Sequence, residues 1–227
     1  MQQQVTEDKP FFMQLSHYAT HKAIEAKPST VDKIKQRSLG RRHQSIRFAS
    51  MAEDLDEGIG AILDEIEKLK ISDNTYIIYL ADNGTYPTKD LGNINGPLHG
   101  WKASIWEGGI RVPFMIAGPG IKHQYRTTNV ISHDIYPTIC EWLNIQELPA
   151  GIEGGSLVSQ LKPASVQPNI SRKHDFFVFH FSICSHHLDI FCLLDFSRFK
   201  LFFFKVFIVK LITSATSPTI DKSTLTI

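Results

Sequence analysis

Apolar side chains recur at every third or fourth position between residues 45 and 70, which is the spacing of one face of an α-helix. The acidic residues of the same segment fall mostly on the opposite side, and we interpret them as a solvated surface. The apolar positions are Leu55, Ile59, Ile62, Leu63, Ile66 and Leu69. The pattern therefore predicts an amphipathic helix from Ser45 to Lys70.

Three short apolar runs predict β-strands before and after this helix. The first covers residues 11–18 and the third covers residues 110–117. The second, TYIIYL at residues 75–80, has no polar alternation, which is typical of a strand buried on both faces, as in a parallel sheet. Ser132 is the predicted cap of a further helix that runs to about Leu143.

This alternation of helices and strands is typical of an α/β domain with a mostly parallel sheet flanked by helices. The end of the chain differs in character, because residues 176–212 are crowded with Phe and have no clean period. We therefore predict one domain over residues 1–165 and an atypical Phe-rich tail over residues 166–227. The pattern leaves open whether that tail is part of the native fold.

Composition narrows the classes of function. The chain has 227 residues, is 42% hydrophobic and 21% charged, and has a net charge of +1, which excludes a strongly basic nucleic-acid-binding protein and a highly charged disordered chain. Three cysteines are too few for a disulfide framework. The most apolar window, residues 190–212, has Lys200 and Lys205 near its middle, so we expect no membrane span there.

The end of the second predicted strand carries the first candidate chemistry. Asp82 and Asn83 follow that strand directly, and ligands of open α/β sheets bind beyond the carboxyl ends of the strands. A carboxylate and an amide carbonyl are hard oxygen ligands, which suit Ca²⁺ or Mg²⁺ better than Zn²⁺. The sequence Asp-Asn-Gly is also typical of an ordinary turn.

A lysine and two histidines are further candidates. Lys102 follows a glycine-rich loop, where an ammonium group could neutralise an oxyanion, although a lone lysine is usually solvated. His17 or His21, at the end of the first strand, could donate a hydrogen bond to an anionic substrate or protonate a leaving group. The alternative for either is a structural histidine. Glu107 and Arg111 could form a structural ion pair around a Gly-Gly turn.

Four segments, in this order along the chain, resemble motifs of the sulfatase family, within the alkaline-phosphatase-like superfamily. They are residues 10–21, with His-Tyr-Ala-x-His; residues 52–60; residues 74–84, ending in Ala-Asp-Asn-Gly; and residues 100–113, ending in Glu-Gly-Gly-x-Arg-Val-Pro. The resemblance covers residues 10–163. It implies an alkaline-phosphatase-like α/β fold, incomplete at its N-terminus. It also implies that the complete enzyme hydrolyses the sulfate ester of a small molecule or a sulfated glycan.

The resemblance also implies roles for four residues. Asp82 and Asn83 would be two of the four protein ligands of a divalent cation, most often Ca²⁺, with Mg²⁺ as the other option. Lys102 would contact the sulfate and help to stabilise charge on the ester oxygen. His21 would also contact the sulfate, and it matches better than His17 because it is the second histidine of His-Tyr-Ala-x-His. Phosphatases of the superfamily usually have His after that Asp, for a two-zinc site, whereas Asn fits the single hard cation of a sulfatase.

The chain departs from the family pattern at the nucleophile. Sulfatases use a Cys or Ser in the motif Cys/Ser-x-Pro/Ala-x-Arg, which is converted to formylglycine. None of Cys140, Cys184 and Cys192 begins such a motif. We therefore expect the formylglycine, and the paired aspartates that complete the metal site, to lie upstream of Met1. On this interpretation the chain is the second half of a catalytic domain and is inactive by itself.

Two other functions stay open on the sequence alone. One is a phosphoester or phosphonate hydrolase of the same superfamily. The other is a binding module without enzymatic activity that derives from such an enzyme. The resemblance implies an exported, periplasmic or lysosomal protein, although residues 1–4 do not begin a signal peptide.

Overall fold

The computed structural model of the protein describes residues 1–21, 23–40, 44–87, 94–162, 169–174, 176 and 204–210. Two 3₁₀ turns, Ser72–Asn74 and Ser132–Asp134, lie among the helices and strands of these residues. The elements are α1 Gln2–Thr6, β1 Phe11–His17, α2 Pro28–Lys35, α3 Ile46–Lys68, β2 Thr75–Leu80, α4 Glu107–Ile110, β3 Phe114–Ala117, α5 Ile135–Trp142, α6 Val158–Leu161 and β4 Phe204–Lys210.

The longest helix, α3, confirms the helix predicted from apolar spacing. Ser45 caps its N-terminus, because Oγ of Ser45 accepts a hydrogen bond from the backbone N–H of Phe48 at 3.2 Å. The helix ends at Lys68, and Lys70 follows with a left-handed φ of 54°. The prediction that Leu63 belongs to the buried apolar face is wrong, because 41% of its surface is exposed. It stands one position from Ile62, about 100° further around the helix, and so lies at the margin of the apolar stripe.

The sheet has the strand order β1-β4-β2-β3, and its pairing corrects the prediction of a mostly parallel sheet. All three neighbouring pairs are antiparallel. β1 and β2 run in the same direction, but β4 lies between them and runs the opposite way. A continuous apolar run indicates that a strand is buried on both faces, and it carries no information about the direction of its neighbours.

Helices cover both faces of β2. Ile77 and Tyr79 pack towards α3, whose Ile66 forms a core cluster with Ile208 of β4. Ile78, on the opposite face, packs with residues of α5 and β3. The predicted α/β class, a sheet flanked by helices, is therefore confirmed. So is the prediction that the TYIIYL strand is covered on both sides.

β4 comes from the predicted Phe-rich tail and fills the middle of the sheet. Ile208, Val209 and Lys210 have exposed fractions of 0%, 1% and 3%. Most of residues 166–227, including Cys184 and Cys192, lie outside the described residues, and the division at residue 165 stays a prediction. Where the structure describes helices, none is long and apolar enough to cross a bilayer.

Charged side chains join α2 to α3. Glu53 of α3 forms ion pairs with Lys33 and Arg37, and both terminal nitrogens of Arg37 lie 3.1 Å from the Glu53 carboxylate. Asp54 accepts the backbone N–H of Lys27 at 2.8 Å and the hydroxyl of Thr30 at 2.6 Å. The short helix α2 is thus held against the acidic face of α3.

Candidate functional site

Three loops lie at the same edge of the sheet, which is the edge formed by the carboxyl ends of β1 and β2 and the start of β3. His17 at the end of β1 pairs with Phe204, and Leu80 at the end of β2 pairs with Lys205, so both strands end opposite the start of β4. Phe114, the first residue of β3, pairs with Leu80. Because adjacent strands lie about 4.8 Å apart, the ends of β1 and β2 are roughly 10 Å from each other. The predicted site residues belong to these three loops.

Backbone hydrogen bonds join the loop after β2 to the loop before β3. The N–H of Gly84 donates to the carbonyl of Gly109 at 2.9 Å, and the N–H of Lys102 donates to the carbonyl of Thr85 at 3.3 Å. The side-chain amide of Asn95 accepts from the N–H of Thr85 at 2.8 Å and donates to the Thr85 carbonyl at 3.0 Å. It also donates to the carbonyl of Gly100 at 3.3 Å. The structure therefore brings the Asp82 and Lys102 segments together.

Glycine is required where these loops cross. A Cβ at Gly84 would collide with the carbonyl oxygen of Gly108, and a Cβ at Gly108 would collide with that of Gly100. Gly100 itself has a φ of +83°, which L-residues rarely adopt. Three backbone segments thus pack against one another with no side chain between them.

Asp82 and Asn83 lie directly beyond β2, as predicted. The backbone there is fixed by the N–H of Ala81, which donates to the carbonyl of Pro113 at 3.1 Å. Asp82 is exposed and Asn83 is half-buried. Within the described ranges, no group of three or more His, Cys, Asp or Glu residues could hold a metal ion. A carboxylate and an amide carbonyl match a hard cation chemically, and the role of Asp82 and Asn83 as metal ligands stays a prediction.

The Lys102 loop is closed by a local turn. The N–H of Trp101 donates to Oγ of Ser104 at 3.1 Å, and the N–H of Ser104 donates to the carbonyl of Trp101 at 3.0 Å. Lys102 is half-buried. Further along, Arg111 and Glu107 pair at 3.4 Å across the short helix α4, so the structural ion pair considered for them is present.

The two histidines occupy the turn after β1. Nδ1 of His17 accepts the backbone N–H of Ala19 at 3.0 Å, which fixes its ring in the local turn. His17 also lines a pocket of about 400 Å³ beside α3, together with Glu25 and Asp54. His21 is half-buried, and its ring meets the ring of Tyr18 edge-on at a centroid distance of 5.7 Å. His17 thus has a structural contact, and the roles of His21, Lys102, Asp82 and Asn83 stay predictions.

Other residues gained a clear role only from the structure. Asn95 links the two loops, yet it lies in a Gly-, Asn- and Pro-rich stretch with no period to single it out. Asp134 is fully buried in the turn before α5, where the sequence indicated only a Ser132 cap.

Cys140 is buried in the core, as expected, and burial raises the pKa of its thiol.

Comparison with known proteins identifies relatives of this chain. The family model described as "Sulfatase" matches residues 1–145. A protein named sulfatase from Formosa agariphila is 31% identical over 176 residues, which are 70% of this chain and 31% of that protein. Arylsulfatase J of Mus musculus is 32% identical over 134 residues, which are 58% of this chain and 21% of that protein.

Among solved structures, the crystal structure of Ps i-CgsB in complex with k-i-k-neocarrahexaose is similar, with a TM-score of 0.49 and 26% identity. The similarity covers 61% of this chain and 30% of that one. The chain thus spans about a third or less of the proteins it matches. Since the family model matches more than half of its residues, the chain belongs to the sulfatase family.

Proposed function

We propose that this chain supplies the cation-binding and sulfate-binding loops of a sulfate ester hydrolase. The observation that carries the proposal is the meeting of three loops at one sheet edge, with the Asp82 and Lys102 segments joined by backbone and Asn95 hydrogen bonds. The similarity to proteins named as sulfatases supports a sulfate ester as the substrate. It does not favour the phosphoester alternative.

Asp82 and Asn83 would hold the divalent cation that sulfatases use, and we propose Ca²⁺, with Mg²⁺ as the second option. When bound, such a cation stabilises negative charge on oxygen atoms of the substrate. The carboxylate and the amide carbonyl provide hard oxygen atoms, which Ca²⁺ accepts at flexible geometry. Asp82 is exposed at the sheet edge, so its carboxylate can be reached from solvent.

Lys102 and His21 would bind the sulfate group. The Lys102 ammonium is a compact positive charge on a fixed backbone, so it opposes the charge that develops on the sulfate oxygens. His21 would contact the sulfate as a hydrogen-bond donor, and it could protonate the leaving alcohol when the nucleophile of the complete enzyme takes up the sulfuryl group. We propose a small-molecule sulfate ester or a sulfated glycan as the substrate.

None of the cysteines of the sequence stands in the formylglycine motif, so turnover by this chain is not the appropriate readout. Binding measurements test the proposal instead. Isothermal titration calorimetry with phenyl sulfate, in the presence of CaCl₂, gives the dissociation constant. Lys102→Ala should raise it about 10- to 100-fold, since a hydrogen bond to a charged group contributes roughly 1.5–3 kcal/mol. The matched control is Lys122→Ala, because Lys122 is an exposed lysine that lies outside the three loops.

The cation is tested in the same way, by titrating CaCl₂ alone. Asp82→Ala should weaken Ca²⁺ binding at least tenfold, whereas Asp73→Ala, in the exposed turn before β2 at the opposite sheet edge, should leave it unchanged. Equal phenyl sulfate affinity in the wild type and Lys102→Ala, together with equal Ca²⁺ affinity in the wild type and Asp82→Ala, would overturn the proposal.

A further inference from the structure

The side-chain amide of Asn95 is hydrogen-bonded to the backbone of two loops at the sheet edge. Its Oδ1 accepts the N–H of Thr85 at 2.8 Å, and its Nδ2 donates to the carbonyls of Thr85 at 3.0 Å and Gly100 at 3.3 Å. A side-chain amide has two N–H donors and one carbonyl oxygen, so these contacts use both donors and the acceptor. The amide group therefore fixes the distance and direction between the two loops.

The backbone of Asn95 is itself held in a turn. Its carbonyl accepts the N–H of Leu98 at 3.3 Å, and Pro97, whose ring restricts φ, lies inside that turn. Asn95 is half-buried. A side chain on a backbone fixed in this way loses less conformational freedom when it forms its hydrogen bonds.

Both partners of Asn95 lie two residues from a predicted site residue. Thr85 comes two positions after Asn83, and Gly100 comes two positions before Lys102. The carbonyl of Thr85 also accepts the N–H of Lys102 at 3.3 Å, so Asn95 and Lys102 donate to the same oxygen. Asn95 thus connects the backbone that carries the lysine to the backbone that carries the proposed cation ligands.

Lys102 stands in a tight turn whose shape is fixed by its own residues. The N–H of Ser104 donates to the carbonyl of Trp101 at 3.0 Å, and Oγ of Ser104 accepts the N–H of Trp101 at 3.1 Å. Lys102 and Ala103 are the central residues, and Ala103 has a left-handed φ of 67°. These contacts fix the form of the turn, whereas its place relative to β2 depends on contacts with the loop after that strand.

A separate hydrogen bond holds the other end of the loop crossing. The N–H of Gly84 donates to the carbonyl of Gly109 at 2.9 Å, where a Cβ at Gly84 has no room. This contact involves neither Asn95 nor Lys102. Loss of the Asn95 amide should therefore release the Lys102 end of the crossing while the two loops stay together.

We propose that Asn95 is a positioning residue, which holds the Lys102 turn at a fixed place relative to the end of β2 and so sets the spacing between the lysine and the cation site. This inference rests on the proposed function, because it assigns the sulfate to Lys102 and the cation to Asp82 and Asn83. The attraction between charges falls as they move apart. A misplacement of about 1 Å can reduce the rate of an enzyme roughly 100-fold, so a lysine that binds an anion needs a fixed backbone.

Hydrogen exchange followed by NMR tests the structural step. Asn95→Ala should speed the exchange of the Thr85 and Lys102 amides about tenfold or more and leave the amides of β2 unchanged, because only the crossing loses contacts. Unchanged exchange at Thr85 and Lys102 would contradict the positioning role. Loss of the cooperative urea transition in Asn95→Ala would also contradict it, since Asn95 would then support the whole fold.

A double-mutant cycle tests whether Asn95 acts through Lys102. By calorimetry with phenyl sulfate and CaCl₂, Asn95→Ala should raise the dissociation constant about three- to tenfold, because Lys102 keeps its charge but loses its place. In the Lys102→Ala background, the same substitution should change the dissociation constant by less than about twofold, since no ammonium is left to position.

Asn129→Ala is the matched control and should change neither background. Asn129 is an exposed asparagine outside the three loops, and its carbonyl, which alanine retains, accepts the hydrogen bond from Arg172.

The cycle also keeps this inference apart from the proposed function. If Lys102→Ala weakens phenyl sulfate binding while Asn95→Ala does not, or if the two effects add in full, the sulfate site stands and the role of Asn95 is overturned. If Lys102→Ala leaves phenyl sulfate binding unchanged, the sulfate contact fails, and the role of Asn95, which acts through it, fails with it.

Discussion

Asp134 is a fully buried carboxylate whose charge is matched by Arg172. The Arg172 guanidinium donates to both carboxylate oxygens, at 2.9 and 2.7 Å, and also to the carbonyl of Asn129 at 2.9 Å. The backbone N–H groups of Ile131 and Gly155 complete the set, each at 2.9 Å. A buried charge with this many donors is stable only while its partners are present.

Removal of Arg172 should therefore destabilise the protein strongly. Arg172→Leu leaves the Asp134 charge without its counterion, and we expect a loss of roughly 3–5 kcal/mol in the free energy of unfolding, measured by urea denaturation. Arg111→Leu is the control, because the Arg111 side chain is 70% exposed and its pair with Glu107 should contribute at most about 1 kcal/mol. Similar losses in the two variants would contradict this role of the buried pair.

Residue chemistry is predictable from sequence where one short segment carries it. Asp82 and Asn83 stand directly after a recognisable strand, and Lys102 stands in a short motif, so all three can be singled out by position. Asp134 cannot be singled out in this way, because its partner Arg172 lies 38 residues away in a stretch with no apolar period. Asn95 is missed for a similar reason, since its partner Thr85 lies across the loop crossing.

At the scale of elements, the apolar period predicts α3 and the continuous apolar run predicts β2, but neither predicts which strands pair with β2. Local spacing decides whether a segment becomes a helix or a strand and which of its faces is buried. Strand order depends on contacts between residues far apart in sequence. β4, from a region without alternation, therefore enters between β1 and β2, and the predicted parallel pairing is replaced by antiparallel pairing.

β4 should contribute more to stability than the edge strand β3. Ile208→Ala removes a side chain with no exposed surface from the middle of the sheet, and we expect a loss of about 2–5 kcal/mol in the free energy of unfolding. Met115→Ala in β3 is the comparison, because Met115 is 57% exposed, and its cost should stay below about 1 kcal/mol. Guanidinium titration measures both variants, and an Ile208→Ala loss as small as that of Met115→Ala would show that β4 is dispensable to the sheet.

At the scale of the whole molecule, surface carboxylates make stability depend on pH. Hydrogen bonds from Lys33 and then Arg37 lower the pKa of Glu53, and a hydrogen bond from Gln2 lowers the pKa of Glu65. A carboxyl whose pKa is lower in the folded state stabilises the protein above its unfolded pKa. That stabilisation is lost as the pH falls through the folded pKa.

Acid should therefore weaken the attachment of α2 to α3. We expect Glu53→Gln to be less stable than the wild type at pH 7 and low salt, and the difference to shrink as the pH falls below the usual glutamate range, about 4.5. Urea titrations at pH 7, 5 and 3 measure it. High salt at pH 7 should also reduce the difference, because the pairs are exposed and screened. A stability difference that grows in acid would contradict the expected direction of the pH dependence.

The central position of β4 also affects how the protein reaches its native state. Phe11 in β1 pairs with Lys210, and the Lys210 ammonium donates to the carbonyl of Lys9 across 201 residues of chain. β1 and β2 cannot complete their pairing until that remote segment arrives. Because contacts between residues far apart in sequence slow folding, we expect the sheet to form slowly. Until then, the facing edges of β1 and β2 offer unpaired backbone groups to any other extended segment. We therefore expect the folding chain to be most exposed to misassociation before β4, the last of the four described strands along the chain, pairs with β1 and β2.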